Sequence, residues 1–125
     1  MSDALKILIV EDEFLFAYDM KTQLSRLGYS LCELVASGEK AIEVVKNENP
    51  DLVLMDMNLS GQMNGVDTAR EINTIRQIPI IFMTGHADTD TMEQIRRLKP
   101  LNIVTKPITA RTIHNLITAW QQAAF

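Results

Sequence analysis

Apolar residues along the chain follow two alternating patterns. Short, nearly unbroken runs rich in β-branched residues alternate with longer stretches in which apolar positions return every three or four residues. The first pattern is that of strands buried on both faces of a parallel sheet, and the second is that of amphipathic helices. Lys6 to Val10 is the first run, and it stops abruptly at Glu11, Asp12 and Glu13. A helix follows from Phe14, with Phe16, Met20, Leu24 and Leu27 at spacings of 4, 4 and 3 and Gly28 as its terminator. Leu31 to Val35 predicts a second strand, and Ser37-Gly38 opens a helix that turns Ala41, Ile42 and Val45 inward and ends at Asn49-Pro50. The third strand, Asp51 to Asp56, again ends in a carboxylate, followed by a loop from Met57 to Asn64 and a helix from Val66 to Arg76. Ile78 to Met83 is a fourth strand closed by Thr84-Gly85, and a helix over Asp88 to Leu98 ends at Pro100. Leu101 to Thr105 is a fifth strand that runs into Lys106-Pro107. The last helix starts near Thr109, with Ile113, Leu116, Ile117 and Trp120 at i, i+3, i+4 and i+7.

Strict alternation of five strands and five helices predicts an α/β fold with a parallel sheet covered on both faces. No repeat or low-complexity tract interrupts the series, so residues 1–125 are expected to form one domain. At 46% hydrophobic and 22% charged residues, the chain has the composition of an ordinary globular protein, which excludes disorder. The formal charge of −4 provides no electrostatic footprint for direct nucleic-acid binding. Apolar runs such as Ile7 to Val10 and Leu52 to Met55 are far shorter than the ~20 residues of a membrane span. Neither a membrane contact nor a secretion signal is expected, and the solitary Cys32 fits a reducing, cytoplasmic setting.

Ligands of open parallel sheets bind outside the carboxyl ends of the strands, where the strand order reverses. The residues at those ends are Glu11 and Asp12, Asp56, Thr84 and Lys106. Three crowded carboxylates repel and call for a cation. An all-oxygen donor set without a His or Cys cluster points to Mg²⁺ rather than zinc or iron. A metal, a lysine and a hydroxyl around an aspartate are the parts that phosphoryl transfer requires, with the carboxylate able to attack phosphorus itself. Taken singly, each residue has a plainer role as turn former, helix cap or solvated lysine. Their conjunction at four strand ends is what argues for a site.

These residues resemble the receiver domain of two-component response regulators. The resemblance spans about Leu5 to Trp120 and rests on Ile7-Leu8-Ile9-Val10-Glu11-Asp12-Glu13, Pro50-Asp51-Leu52-Val53-Leu54-Met55-Asp56, Gly65 with Ala69 and Ile72, Pro79-Ile80-Ile81-Phe82-Met83-Thr84, and Lys106-Pro107. It implies a doubly wound, flavodoxin-like sheet in the order 2-1-3-4-5. It implies Asp56 as phosphoacceptor and Mg²⁺ held by Asp12 and Asp56, by Glu11 through water and by the main-chain carbonyl of Asn58. Thr84 would be the switch hydroxyl and Lys106 the partner of the phosphoryl group, preceding a cis peptide bond to Pro107. The implied partners are a sensor histidine kinase or histidine phosphotransfer protein and a downstream target or fused effector domain. Either a monomer or a phosphorylation-dependent homodimer fits.

The sequence departs from the common pattern at three places. Ile103 stands where many members carry an aromatic residue, which leaves backbone movement as the route of output from Thr84. The loop Met57 to Gly65 has Leu59-Ser60 where Met-Pro is common, and it is about a residue longer. His86 follows Thr84-Gly85 and, with Asn58, is expected beside the site entrance, tuning phosphoryl lifetime. Phe14 and Tyr18 are i, i+4 neighbours on the side of the first helix opposite its apolar stripe, and they are candidates for contact with the phosphodonor protein. Arg96, Arg97 and Lys99 would stabilise the negative end of the fourth helix or serve an output surface. Two rival functions remain, a phosphorylation-independent binding module and an aspartyl-phosphate phosphatase of the haloacid dehalogenase type. The second is disfavoured because Asp56 is not on the first strand and no cap segment fits in 125 residues.

Overall fold

A computed structural model describes residues 4–59 and 61–123. Its elements run β1 (Lys6–Val10), α1 (Phe14–Arg26), β2 (Ser30–Leu31), α2 (Gly38–Glu48), β3 (Leu52–Asp56), α3 (Gly65–Ile75), β4 (Ile80–Thr84), α4 (Thr89–Arg97), β5 (Asn102–Thr105) and α5 (Ala110–Ala123). The strands form one parallel sheet in the order β2-β1-β3-β4-β5, as the resemblance implied. Ile7 to Val10 pair with Leu52 to Met55, Val53 to Asp56 with Ile80 to Met83, and Ile81 to Thr84 with Asn102 to Thr105.

Side chains alternate across each strand, so successive residues feed two separate apolar layers. Leu8, Val10, Val53, Met55, Ile80 and Phe82 meet α2, α3 and α4 through Val44, Val45, Ala69, Ile72 and Ile95. Ile7, Ile9, Leu52, Leu54, Ile81 and Met83 face α1 and α5 through Ala17, Met20, Leu24, Ile113 and Ile117. This two-sided burial explains why the three central strands read as unbroken apolar runs.

Helix ends follow local chemistry. The Ser37 hydroxyl accepts from the Lys40 N–H, the Asn64 side chain from Asp67 N–H and the Asp88 carboxylate from Thr91 N–H, each satisfying a donor that the first turn leaves free. At α1 the chain turns at Gly28, whose φ of +101° suits only a residue without a side chain.

Two expectations change. The second strand is shorter than Leu31 to Val35. It pairs only over Ser30 and Leu31, then rejoins the sheet at a single bridge between Val35 and Val10. Glu33 and Leu34 leave the ladder between the Cys32 N–H bond to Ile7 and the Val35 N–H bond to Ile9. The buried face of α1 is Ala17, Met20 and Leu24, whereas Leu27 caps the helix and is exposed and Phe16 is half-buried.

Candidate functional site

The reversal of strand order lies between β1 and β3, and the carboxylates collect at the carboxyl ends of these two strands. The Glu11 N–H donates to Val35 O (2.9 Å), and its side chain folds inward until it is 1% exposed. Its Oε2 accepts from the Glu13 N–H at 3.1 Å. Asp56 is the last residue of β3, opposite Met83 and 4% exposed, and its Oδ1 accepts from the Asn58 N–H at 3.3 Å. Asp12 is exposed, and one oxygen from each of Glu11, Asp12 and Asp56 lies within 4.8 Å of the others.

Lys106 follows β5, the edge strand next to β4. Its N–H donates to Thr84 O (2.7 Å), and the cis peptide to Pro107 follows. Its ammonium reaches Glu11 Oε1 at 2.9 Å and Asp56 Oδ1 at 3.4 Å. The Phe16 ring lies beneath, 5.3 Å from centroid to Nζ, and adds a cation–π contact. Burial works against the Lys106 charge, but the two carboxylates outweigh it and hold the ammonium above its ordinary pKa. Glu11 is pushed above the usual carboxylate range, first by burial and then by Asp56, and Lys106 offsets only part of this.

The cluster therefore holds three carboxylates, and the one ammonium beside it touches only the two buried ones, Glu11 and Asp56. Such an oxygen-only, negatively charged cluster fits a hard divalent cation, which would relieve the strain that raises Glu11. Among the described residues, one further polar atom lacks a partner. Thr84 ends β4 one residue beyond the Met83 partner of Asp56, is 5% exposed, and its hydroxyl makes no hydrogen bond. A buried hydroxyl left unpaired calls for an explanation, and a ligand oxygen arriving at the site supplies one.

Glu11, Asp12, Asp56 and Lys106 are thus brought together, Asn58 adjoins Asp56 through its main chain, and Thr84 lies at the next strand end. His86 and Ile103 line a hollow of about 440 Å³ with Thr84, Met92, Arg96 and Thr105 on the α4 side. Phe14 and Tyr18 are 65% and 58% exposed and stack with centroids 5.9 Å apart. Leu15, which the periodicity did not single out, extends that patch at 78% exposure. Arg97 pairs with Glu93 across one helical turn. The role of Phe16 under Lys106 was missed, since spacing alone assigned it to the core stripe. Gly65 allows α3 to begin hard against the site: a Cβ there would collide with the Asp56 carbonyl oxygen and touch Met57 Cα at 3.0 Å.

Comparison with known proteins gives a consistent result. A family profile described as the response regulator receiver domain matches residues 7–118. The chain is 32% identical over 118 residues to the transcriptional regulatory protein PdtaR of Mycobacterium tuberculosis, covering 94% of this chain but 56% of PdtaR. It is 30% identical over 113 residues to sporulation initiation phosphotransferase F of Bacillus subtilis, covering 90% of both. In structure it is similar to the signal receiver domain of a modulated diguanylate cyclase from Desulfovibrio desulfuricans, with a TM-score of 0.87 and 35% identity over 94% of this chain and 93% of that one. A CheY-like receiver domain from Methanospirillum hungatei shares the fold at a TM-score of 0.89 and 23% identity, with 97% and 96% of the chains covered.

Proposed function

The chain belongs to the response regulator receiver domain family of two-component signalling, and from that premise we propose that Asp56 accepts a phosphoryl group from a sensor histidine kinase or histidine phosphotransfer protein. The observation that carries this reading is the buried Asp56 carboxylate with the Lys106 ammonium 3.4 Å away, beside the unpartnered Thr84 hydroxyl.

An Asp56 carboxylate oxygen attacks phosphorus in line. The bond from phosphorus to the donor's imidazole nitrogen breaks, its electron pair leaves with the imidazole, and Asp56 becomes a mixed carboxylic–phosphoric anhydride. The Asn58 N–H donates to Oδ1, the same oxygen that Lys106 approaches, and so holds the carboxylate before attack. Lys106, already poised between Glu11 and Asp56, redirects its ammonium to a phosphoryl oxygen. The Thr84 hydroxyl donates to another and gains the partner it lacks. Asp12 and Asp56, Glu11 through water, and the Asn58 carbonyl would hold Mg²⁺, which neutralises charge on the transferring group when bound. The added charge, about −1.5 to −2, and the movement of Thr84 and Lys106 then shift the population of the α4–β5–α5 surface and its affinity for a target.

Intact mass after incubation with acetyl phosphate and Mg²⁺ tests this, beside Asp56→Asn and an EDTA control. One phosphoryl group on the wild-type chain, absent from both controls, is expected. No adduct on the wild-type chain would refute the assignment and leave a phosphorylation-independent binding module. Repeated turnover of phosphate esters would instead indicate the phosphatase.

A further inference from the structure

The loop after β3 is tied to a helix that contributes nothing else to the site. Glu39, in the first turn of α2, accepts from the Gln62 N–H through Oε1 at 3.3 Å. The chain passes so close to this carboxylate that a Cβ on Gly61 would stand 3.0 Å from Glu39 Oε2, and Gly61 has a φ of +95°. The anchor itself is fixed. A Cβ on Gly38 would collide with Thr68 Oγ1, so α2 is pressed against α3 where Glu39 leaves the helix. Beyond Gln62, the Met63 Cβ lies 3.1 Å from where a Cβ on Gly38 would stand, Asn64 caps α3, and the Gly65 N–H returns to Met57 O at 3.1 Å. The segment from Gly61 to Gly65 therefore runs from the Glu39 carboxylate back to the main chain beside Asp56.

We propose that Glu39 is a positioning residue that fixes this return segment and thereby sets the lifetime of the phosphoryl group on Asp56. The proposal rests on Asp56 being the phosphoacceptor. Glu39 itself touches no reacting atom. Held down, the segment closes the α2 side of Asp56 to water. Released, it admits water to the anhydride and shortens its life. A carboxylate at a helix N-terminus suits the task, because the helix dipole favours its charge and a main-chain N–H gives the loop no sequence requirement beyond Gly61.

The experiment uses the full chain as wild type, Glu39→Ala and Glu39→Gln, with three readouts. These are amide hydrogen exchange at Gly61 and Gln62, thermal midpoint, and phosphoryl half-life after removal of acetyl phosphate. Loss of this hydrogen bond in Glu39→Ala is expected to speed exchange at Gln62 about five- to tenfold and to shorten the half-life severalfold, with the midpoint lowered by only about 3–6 °C, so that the chain stays folded. Glu39→Gln keeps an acceptor and is expected to restore most of both. Unchanged exchange or an unchanged half-life in Glu39→Ala would overturn the proposal, as would a Gln variant no better than Ala. A wild-type chain that takes no phosphoryl group would instead refute the assignment of Asp56, a distinct outcome.

Discussion

Replacing Thr84 by valine should make the unphosphorylated protein more stable, although it removes a residue of the proposed switch. The Thr84 hydroxyl is buried without a partner. Mutational data place the cost of such a group at ~1–3 kcal/mol. Valine has nearly the same shape, is equally suited to a strand, and exchanges the hydroxyl for a methyl group that packs without a desolvation penalty. Main-chain contacts survive, because the Lys106 N–H bond uses the residue 84 carbonyl and the pairing with Thr105 is independent of the side chain. The net gain is then ~1–2 kcal/mol, which raises the melting midpoint of a domain of this length by about 3–10 °C. Urea unfolding of both proteins measures it, first in EDTA and then with Mg²⁺ and beryllofluoride as a phosphoryl mimic. With the mimic bound, the wild-type hydroxyl has an acceptor, so the order is expected to narrow or reverse. A Thr84→Val protein equal to or less stable than wild type in EDTA would refute the reasoning, since the hydroxyl would then have a partner.

Lys106→Met strands the Glu11 and Asp56 carboxylates, and the loss of a pair whose lysine is 25% exposed should cost about 2–3 kcal/mol in metal-free protein at neutral pH. Because Glu11 is already raised above 4.5 in the fold, the folded state binds the extra proton. The deficit should therefore shrink as pH falls toward 4.5 and widen as pH rises, and a pH-independent deficit in urea unfolding would argue against it. Gly65→Ala should destabilise by about 2–3 kcal/mol, because the new Cβ meets main chain that cannot yield, and a loss near zero would contradict the packing. Cys32 is 2% exposed and its thiol is pushed up to about 11, by burial first and then by Glu48. Iodoacetamide at pH 8 should thus label it only at the rate of unfolding, and prompt labelling of native protein would show otherwise. His86→Ala should alter the decay rate of the phosphorylated form if the imidazole flanks the entrance, and an identical decay curve would remove it from that role.

The central strands and the strand-end residues were legible because a parallel sheet writes its burial directly into sequence. Lys6 to Val10 is predicted to the residue, and Asp56 and Lys106 stand where the period breaks into charge. What periodicity could not show is which neighbour each side chain chooses. Ala17 takes the buried place that spacing gave to larger residues, and Phe16 turns to the lysine instead. Glu33 and Leu34 carry no mark distinguishing a strand from a detour, since the hydrogen bonds of Cys32 and Val35 decide it. The pairing of Lys106 with Glu11 spans 95 positions, and the hold of Glu39 on Gln62 spans 23, distances over which only the folded chain has information.

The two edges of the sheet have a consequence for how copies of this fold can meet. β2 offers two paired residues before the chain departs, and β5 offers four, bounded by Pro100 and Pro107, which lack a main-chain donor. A strand from another molecule would find too short a template on either side to extend the ladder. Association is thereby steered toward helix surfaces, where side chains decide the partner and a shift of side chains can withdraw it. A protein used as a reversible signal benefits from contacts of that kind, because an added strand is held by main chain that no switch residue controls.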